Sequence, residues 1–178
     1  MYARGFTVWI TGPSGAGKTA LARAVEGALL ERGCAAEVLD DGELRAALAP
    51  DLGDEPRDQD ALARRLSLVA GVLARNGVAA LVAARSPWQA TRDELRARAE
   101  TPFVEVFCDA GDPQGGAHEL PAEPEVAVDR RRDTPDAACA RVLLTLERLD
   151  LIPKVPGGAY TAAEEEEVRR RLKDLGYV

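Results

Sequence analysis

Apolar positions along this chain alternate between two patterns. Short, nearly unbroken apolar runs are followed by longer stretches in which apolar residues recur every three or four positions. The short runs read as strands at Thr7–Thr11, Ala36–Leu39, Ala79–Ala83, Phe103–Cys108 and Val126–Asp129. The longer ones read as helices at Lys18–Arg32, Glu43–Ala49, Asp58–Asn76, Trp88–Ala99 and Pro135–Leu149. In the first helix Leu21, Val25, Ala28 and Leu29 share a face. Gly33 and Gly77 follow helices, where a left-handed cap is expected. Strands alternating with helices predict an α/β fold, a mostly parallel five-stranded sheet covered on both faces. The acidic, turn-forming Asp51–Asp60 and the Gly- and Pro-bearing Ala110–Pro124 read as loops.

After the last core helix the pattern breaks. Pro153-Lys154-Val155-Pro156-Gly157-Gly158 is a breaker-rich linker, and Thr161-Ala162-Ala163-Glu164 is a capping box that opens a final helix. Val168, Leu172 and Leu175 lie on one side of that helix, which is expected to dock on its own domain, with a clip onto a second subunit or partner as the alternative. The organisation expected is therefore one domain over residues 1–153 and a linker with a C-terminal helix over 154–178.

Composition narrows the function classes. The 178 residues suffice for one domain with a real core. A net charge of −7, from 30 acidic against 23 basic residues, argues against a nucleic-acid footprint, and Arg130-Arg131-Arg132 is too short to change that. No apolar run is long enough for a membrane span, and Met1–Gly5 leads straight into the first strand with no signal-peptide core. Cys34, Cys108 and Cys139, with His118 as the one histidine, fit neither a disulfide framework nor a zinc site. A reduced, cytoplasmic compartment is expected, with the cysteines as small core residues.

The chemistry starts at Gly12-Pro13-Ser14-Gly15-Ala16-Gly17-Lys18-Thr19, which completes G-x-x-x-x-G-K-[ST] between the first strand and the first helix. Strand, glycine loop and helix N-terminus together make an anion site, because backbone N–H groups point inward and the helix dipole adds positive charge. The pattern predicts a P-loop NTPase fold of three α/β/α layers that binds a nucleoside triphosphate, with Lys18 on the β- and γ-phosphates and the Thr19 hydroxyl on Mg²⁺. Phosphoryl transfer further needs a group that orients or deprotonates the acceptor. Val38-Leu39-Asp40-Asp41-Gly42-Glu43 brings three carboxylates, Asp40, Asp41 and Glu43, to the end of the second strand, where such a group belongs.

With these residues in view, the chain from Gly5 to about Pro153 resembles the adenylylsulfate (APS) kinases. Gly5-Phe6-Thr7-Val8-Trp9-Ile10-Thr11-Gly12 and the loop after it look like that family's opening. Asp40 to Arg45 resembles its L-D-G-D-N-V-R, Asp51-Leu52-Gly53 its D-L-G, Ser86-Pro87-Trp88 its S-P-Y, and Phe103–Phe107 its F-I-E-V-F strand. The resemblance implies an ATP- and Mg²⁺-dependent phosphotransferase, moving the γ-phosphate of ATP to the 3′-hydroxyl of APS to form PAPS in sulfate assimilation. It also implies that Arg45 helps bind APS and that Ser86, Pro87 and Trp88 line the acceptor pocket. The family's kinases are commonly dimers, so a homodimer is open.

The departures fall on the acceptor side. Where the family has D-G-D, this chain has Asp40-Asp41-Gly42, or Asp41-Gly42-Glu43 with a slip of one. An aromatic, an arginine and an asparagine that hold APS in the family are here Asp54, Gln59 and Leu62, and the arginine after S-P-Y is Gln89. Gly111-Asp112-Pro113-Gln114-Gly115 and a short connection stand in for a long basic lid. Two further readings therefore stay open: a kinase for a different small hydroxyl acceptor, and a nucleotide-binding regulatory or scaffold protein without transfer. Arg130-Arg131-Arg132 is expected as a solvated turn near the nucleotide, Trp9 as core, and His118 as a surface residue.

Overall fold

A computed structural model describes residues 5–111, 118–155 and 160–177. Five strands, β1 (Phe6–Thr11), β2 (Ala36–Asp40), β3 (Ala79–Ala83), β4 (Phe103–Asp109) and β5 (Val126–Asp129), form one sheet in the order β2-β3-β1-β4-β5. Every pairing is parallel, so all five carboxyl ends lie along one edge. The helices are α1 (Lys18–Glu31), α2 (Asp41–Leu48), α3 (Pro56–Arg75), α4 (Gln89–Arg98), α5 (Pro135–Arg148) and α6 (Ala162–Asp174). Among the described residues, no helix is long and apolar enough to cross a membrane.

Alternate side chains of a strand point to opposite faces, and here both faces are buried. Phe6, Val8 and Ile10 of β1, with Leu81 of β3, join Val25, Leu29, Val142 and Leu146 of α1 and α5 in one core. Trp9 and Val82 face the other way and join Leu62, Leu66 and Ala70 of α3. The apolar runs are unbroken because neither face meets water. Cys108 is buried, Cys34 and Cys139 pack against the first core, and all three thiols are free. Val168 and Leu172 of α6 close on Leu144 of α5, and the Thr161–Glu164 capping box is formed.

Element starts are where the chain departs from expectation. α2 begins at Asp41, two residues early, because the Asp40 carboxylate accepts the Gly42 and Glu43 N–H groups as an N-cap. α3 begins at Pro56 inside the expected loop, since a proline at the first helical position gives up only an N–H that had no helical partner. Gly33 and Gly77 are left-handed, as expected after helices. Part of Ala110–Pro124, including residues 112–115, lies outside the described residues, as do linker residues 156–158.

His118 corrects the sequence reading. It is half-buried over the sheet edge, its Nε2 donating to the Arg85 carbonyl at 2.9 Å and lying 3.0 Å from Thr11 Oγ1. Its ring sits 5.7 Å from that of Phe107. Burial first, and then the nearby Arg92 cation, push its pKa down from 6.5 to about 4. Between those two values the unfolded chain binds a proton that the folded one refuses. Stability is therefore complete above pH 6.5 and is lost as pH falls toward 4. NMR titration of this single histidine should give a midpoint near 4. Lowering the pH from 7 to 5 should destabilise the wild type more than His118→Gln in denaturant melts; equal slopes would refute the burial argument.

Candidate active site

The turn between β1 and α1 is shaped by what it touches. A Cβ on Gly12 would lie 2.2 Å from the Cys108 carbonyl oxygen, so the loop can cross β4 only with glycine there. Gly15 and Gly17 have φ of 76° and 83°, the left-handed region in which glycine carries no steric penalty. Gly17 is the N-cap of α1 and offers no side-chain cap, so the first-turn N–H groups face the loop's hollow. Pro13 and Ala16 close the turn through an Ala16 N–H to Pro13 carbonyl bond of 3.3 Å, with Ser14 exposed at its tip. Lys18 lies across the loop, its Nζ donating to the Gly12 and Pro13 carbonyls at 2.9 Å each. Burial lowers its pKa, against the pull of Asp41.

The β2–β3 pairing aligns Asp40 with Ala83 and so sets the next carboxylates beside this loop. Thr19 Oγ1 donates to Asp40 Oδ2 at 2.5 Å, while Asp40 Oδ1 caps α2. Asp41 Oδ2 accepts from the Arg85 N–H at 3.0 Å. Glu43 does not join them. Two residues further round α2 its carboxylate points away and pairs with Arg23 at 2.9 Å in solvent. The Thr19 hydroxyl and the Asp40 carboxylate offer paired hard oxygens beside the loop. This suits Mg²⁺, which takes one or two protein oxygens and completes its shell with phosphates and water. Among the described residues no group of three or more His, Cys, Asp or Glu side chains forms a self-sufficient metal cage.

On the far side of the carboxylates, Ser86 follows β3 with φ of 29°, an uncommon conformation for a residue with a Cβ. Three contacts hold it there. Trp9 Nε1 donates to Ser86 Oγ at 2.9 Å, Thr11 Oγ1 lies 2.8 Å from the same oxygen, and Arg92 Nη1 donates to the Ser86 carbonyl at 2.7 Å. Arg45 Nη2 donates to the Gly53 carbonyl at 2.8 Å and to Asp54 Oδ1 at 2.9 Å. Arg45 and Ser86 share a cavity of about 10 Å³ with Asp41, Gln59, Leu62 and Arg85. Pro87 and Trp88 lie beyond it, where Pro87 accepts the Glu119 N–H and Trp88 begins α4. Sequence reading missed Arg85 and Arg92. A charged residue at the end of an apolar strand, directly before Ser-Pro, was the available signal for Arg85.

On the other flank of the loop an apolar cleft of about 300 Å³ opens between α1 and α5, lined by Leu21, Ala24, Val128, Pro135 and Ala138. Arg130 stands at its rim and donates to the Gly15 carbonyl. Arg131 and Arg132 stay in solvent beside Asp129. The edge thus offers a flat apolar slot, an anion loop, a pair of oxygens for a divalent cation and a second, carboxylate-lined hollow, in that order.

The family model described as adenylylsulphate kinase matches residues 4–115, which is most of the chain. An adenylyl-sulfate kinase of Rippkaea orientalis is 35% identical over 178 residues, covering 86% of this chain and 98% of its own. A probable bifunctional SAT/APS kinase of Sorangium cellulosum is 38% identical over 84% of this chain, which spans only 30% of that longer protein. Among solved structures, the Mycobacterium tuberculosis APS kinase in complex with AMPPNP and APS superposes with a TM-score of 0.74 at 36% identity, covering 81% of this chain and 98% of its own. With a phosphate loop at the edge of a five-stranded parallel sheet and these likenesses along most of its length, the chain belongs to the adenylylsulphate kinase family of ATP-dependent kinases.

Proposed function

We propose that this protein transfers the γ-phosphate of Mg·ATP to the 3′-hydroxyl of APS, giving PAPS and ADP. The observation that carries the reading is the Thr19–Asp40 contact at 2.5 Å, with Lys18 across the loop and Asp41 directly beside it. The apolar cleft between α1 and α5 suits a purine ring, and the loop suits the phosphates that extend from it.

Each residue then has one task. Lys18 exchanges the Gly12 and Pro13 carbonyls for β- and γ-phosphate oxygens, which it neutralises. Thr19 and Asp40 would hold Mg²⁺, whose chemistry there would be to neutralise charge on the phosphate oxygens. Both Asp40 oxygens are engaged, one by Thr19 and one by the α2 cap. Asp41 is anchored through Oδ2 alone, so its other oxygen is the one that receives the acceptor's hydroxyl proton. Glu43, in solvent with Arg23, takes no part. Ser86 walls the acceptor side and Arg45 holds the acceptor.

One observation favours a second acceptor. Asp54, Gln59 and Leu62 stand where the family's APS-holding aromatic, arginine and asparagine are expected, and the hollow that Gln59 and Leu62 help line is about 10 Å³. A different hydroxyl compound would use the same transfer machinery. ADP release from Mg·ATP at increasing APS concentration separates the two. Saturable APS-dependent turnover is expected. ATP binding with no response to APS, but turnover on another hydroxyl acceptor, would replace APS; failure on every acceptor would remove the kinase reading.

Lys18→Ala should cut turnover about a hundred- to a thousandfold, as loss of one transition-state charge contact does, while the circular-dichroism melt stays cooperative. Unimpaired turnover would overturn the loop's role. Among the carboxylates, Asp41→Ala should lower kcat most at saturating Mg²⁺. Asp40→Ala should raise the Mg²⁺ needed for half-maximal rate and cost about 1 kcal/mol of stability through the lost cap. Glu43→Ala should leave both readouts nearly unchanged. Three equal, mild effects would refute the division of roles.

A further inference from the structure

Two arginines that line the acceptor hollow converge on one carboxylate. Arg45 Nη2 and Arg85 Nη2 lie 2.9 Å and 3.5 Å from the same oxygen, Asp54 Oδ1. They come from different elements, Arg45 from α2 and Arg85 from the turn after β3. Yet both line the hollow that contains Asp41. Arg85 is delivered from a fixed base: its N–H is bonded to Asp41, and its carbonyl accepts from Thr11 Oγ1 and His118 Nε2 at 2.9 Å each. The Arg85 side chain is 40% exposed, so its guanidinium can exchange Asp54 for a ligand.

The carboxylate between them is held weakly. The Asp54 side chain is 85% exposed, so its ion pairs are screened by water. Its backbone carbonyl accepts from Gln59 Nε2 at 3.1 Å, which tethers the loop to the start of α3 without fixing the carboxylate. Meanwhile Arg45 Nη1 is buried with no hydrogen-bond partner among the described residues. Buried guanidinium N–H groups are normally paired, so this donor points to an absent acceptor atom. The hollow that Arg45 and Arg85 line holds about 10 Å³, room for at most one water and far too little for any acceptor.

We infer that Arg85 and Arg45 form a two-guanidinium clamp for a sulfate or phosphate group on the acceptor, and that Asp54 is a built-in occupant which the acceptor displaces. The forked guanidinium donors match the oxygens of such an anion better than a single carboxylate does. An anion held between the two guanidiniums in place of Asp54 brings further oxygens, one of which would give Arg45 Nη1 its missing partner. Arg85 thereby supplies from the β3–α4 turn a cation that Gln59 on α3 does not. The inference rests on the proposed reading that the acceptor enters on this side of Asp41.

Two measurements separate the clamp from that reading. Inorganic sulfate is titrated into the ADP-bound protein while the arginine Nε–Hε NMR signals are followed, and KM for APS and for ATP is measured on the same variants. In wild type, sulfate should shift the Arg45 and Arg85 signals. Asp54→Asn should bind sulfate, and show a KM for APS, about two- to fivefold tighter, the worth of an exposed ion pair. Arg85→Ala should weaken both about tenfold, with KM for ATP unmoved and partial recovery in Arg85→Lys, which keeps the charge and loses the fork. Unchanged sulfate affinity in both Asp54→Asn and Arg85→Ala would overturn the clamp even if APS is turned over. The expected sulfate behaviour without APS turnover would uphold the clamp and remove APS as the acceptor.

Discussion

The parallel pairing of β1 with β3, from Phe6 opposite Ala79 to Ile10 opposite Ala83, is the constraint on which the site rests. It ends both strands at the same height, so the phosphate loop leaving β1 and the Ser86 turn leaving β3 emerge side by side. The Thr11–Ser86 and Trp9–Ser86 contacts then lock the two exits together. β2, paired to β3 in matching register, adds Asp40 and Asp41 at that same height. A shift of one residue in either pairing would turn each of these side chains to the opposite face and dismantle loop, carboxylates and turn at once.

The strained Ser86 conformation persists because its surroundings over-determine it. Arg92, which holds the Ser86 carbonyl, is itself buried against Glu105 of β4 at 2.9 Å. Arg96, one turn along α4, lies over the Phe103 ring and pairs with Glu125, which also accepts from the Tyr177 hydroxyl at 2.7 Å. A chain of charge contacts thus runs from the acceptor turn, through β4, to the residues after α6. Removing one member of a buried pair such as Arg92–Glu105 costs about 3–5 kcal/mol, because the other charge is left without a partner in a dry interior. The ladder therefore ties the geometry of the acceptor turn to the packing of the C-terminal segment.

The two halves of the site follow different physical logic. On the proposed nucleotide side, backbone N–H groups, a lysine and an apolar cleft suit features common to any nucleoside triphosphate. The loop and lysine come from one contiguous stretch, Gly12–Thr19, while the cleft joins the helix after it to Val128, Pro135 and Ala138 of β5 and α5. The proposed acceptor side is assembled from α2, the loop before α3 and the turn after β3. Its charges neutralise one another across Asp54. Any acceptor that binds between these cations must outcompete an internal carboxylate.

The sequence by itself determined the order and type of every element, and the phosphate loop, because these are local properties. Hydrophobic period reports burial within a few residues, and the phosphate loop is contiguous. Asp40-Asp41-Gly42-Glu43 could be placed at the end of β2 but its roles could not be divided. That division depends on where α2 starts, on the reach of Thr19, and on the Arg85 N–H, groups far apart in the chain. His118 read as a surface residue for the same reason, since its partners Thr11 and Arg85 come from two other segments. Only the tertiary structure could show that Arg85 meets Arg45 across Asp54, because charge pairing between elements leaves no periodic trace in the chain.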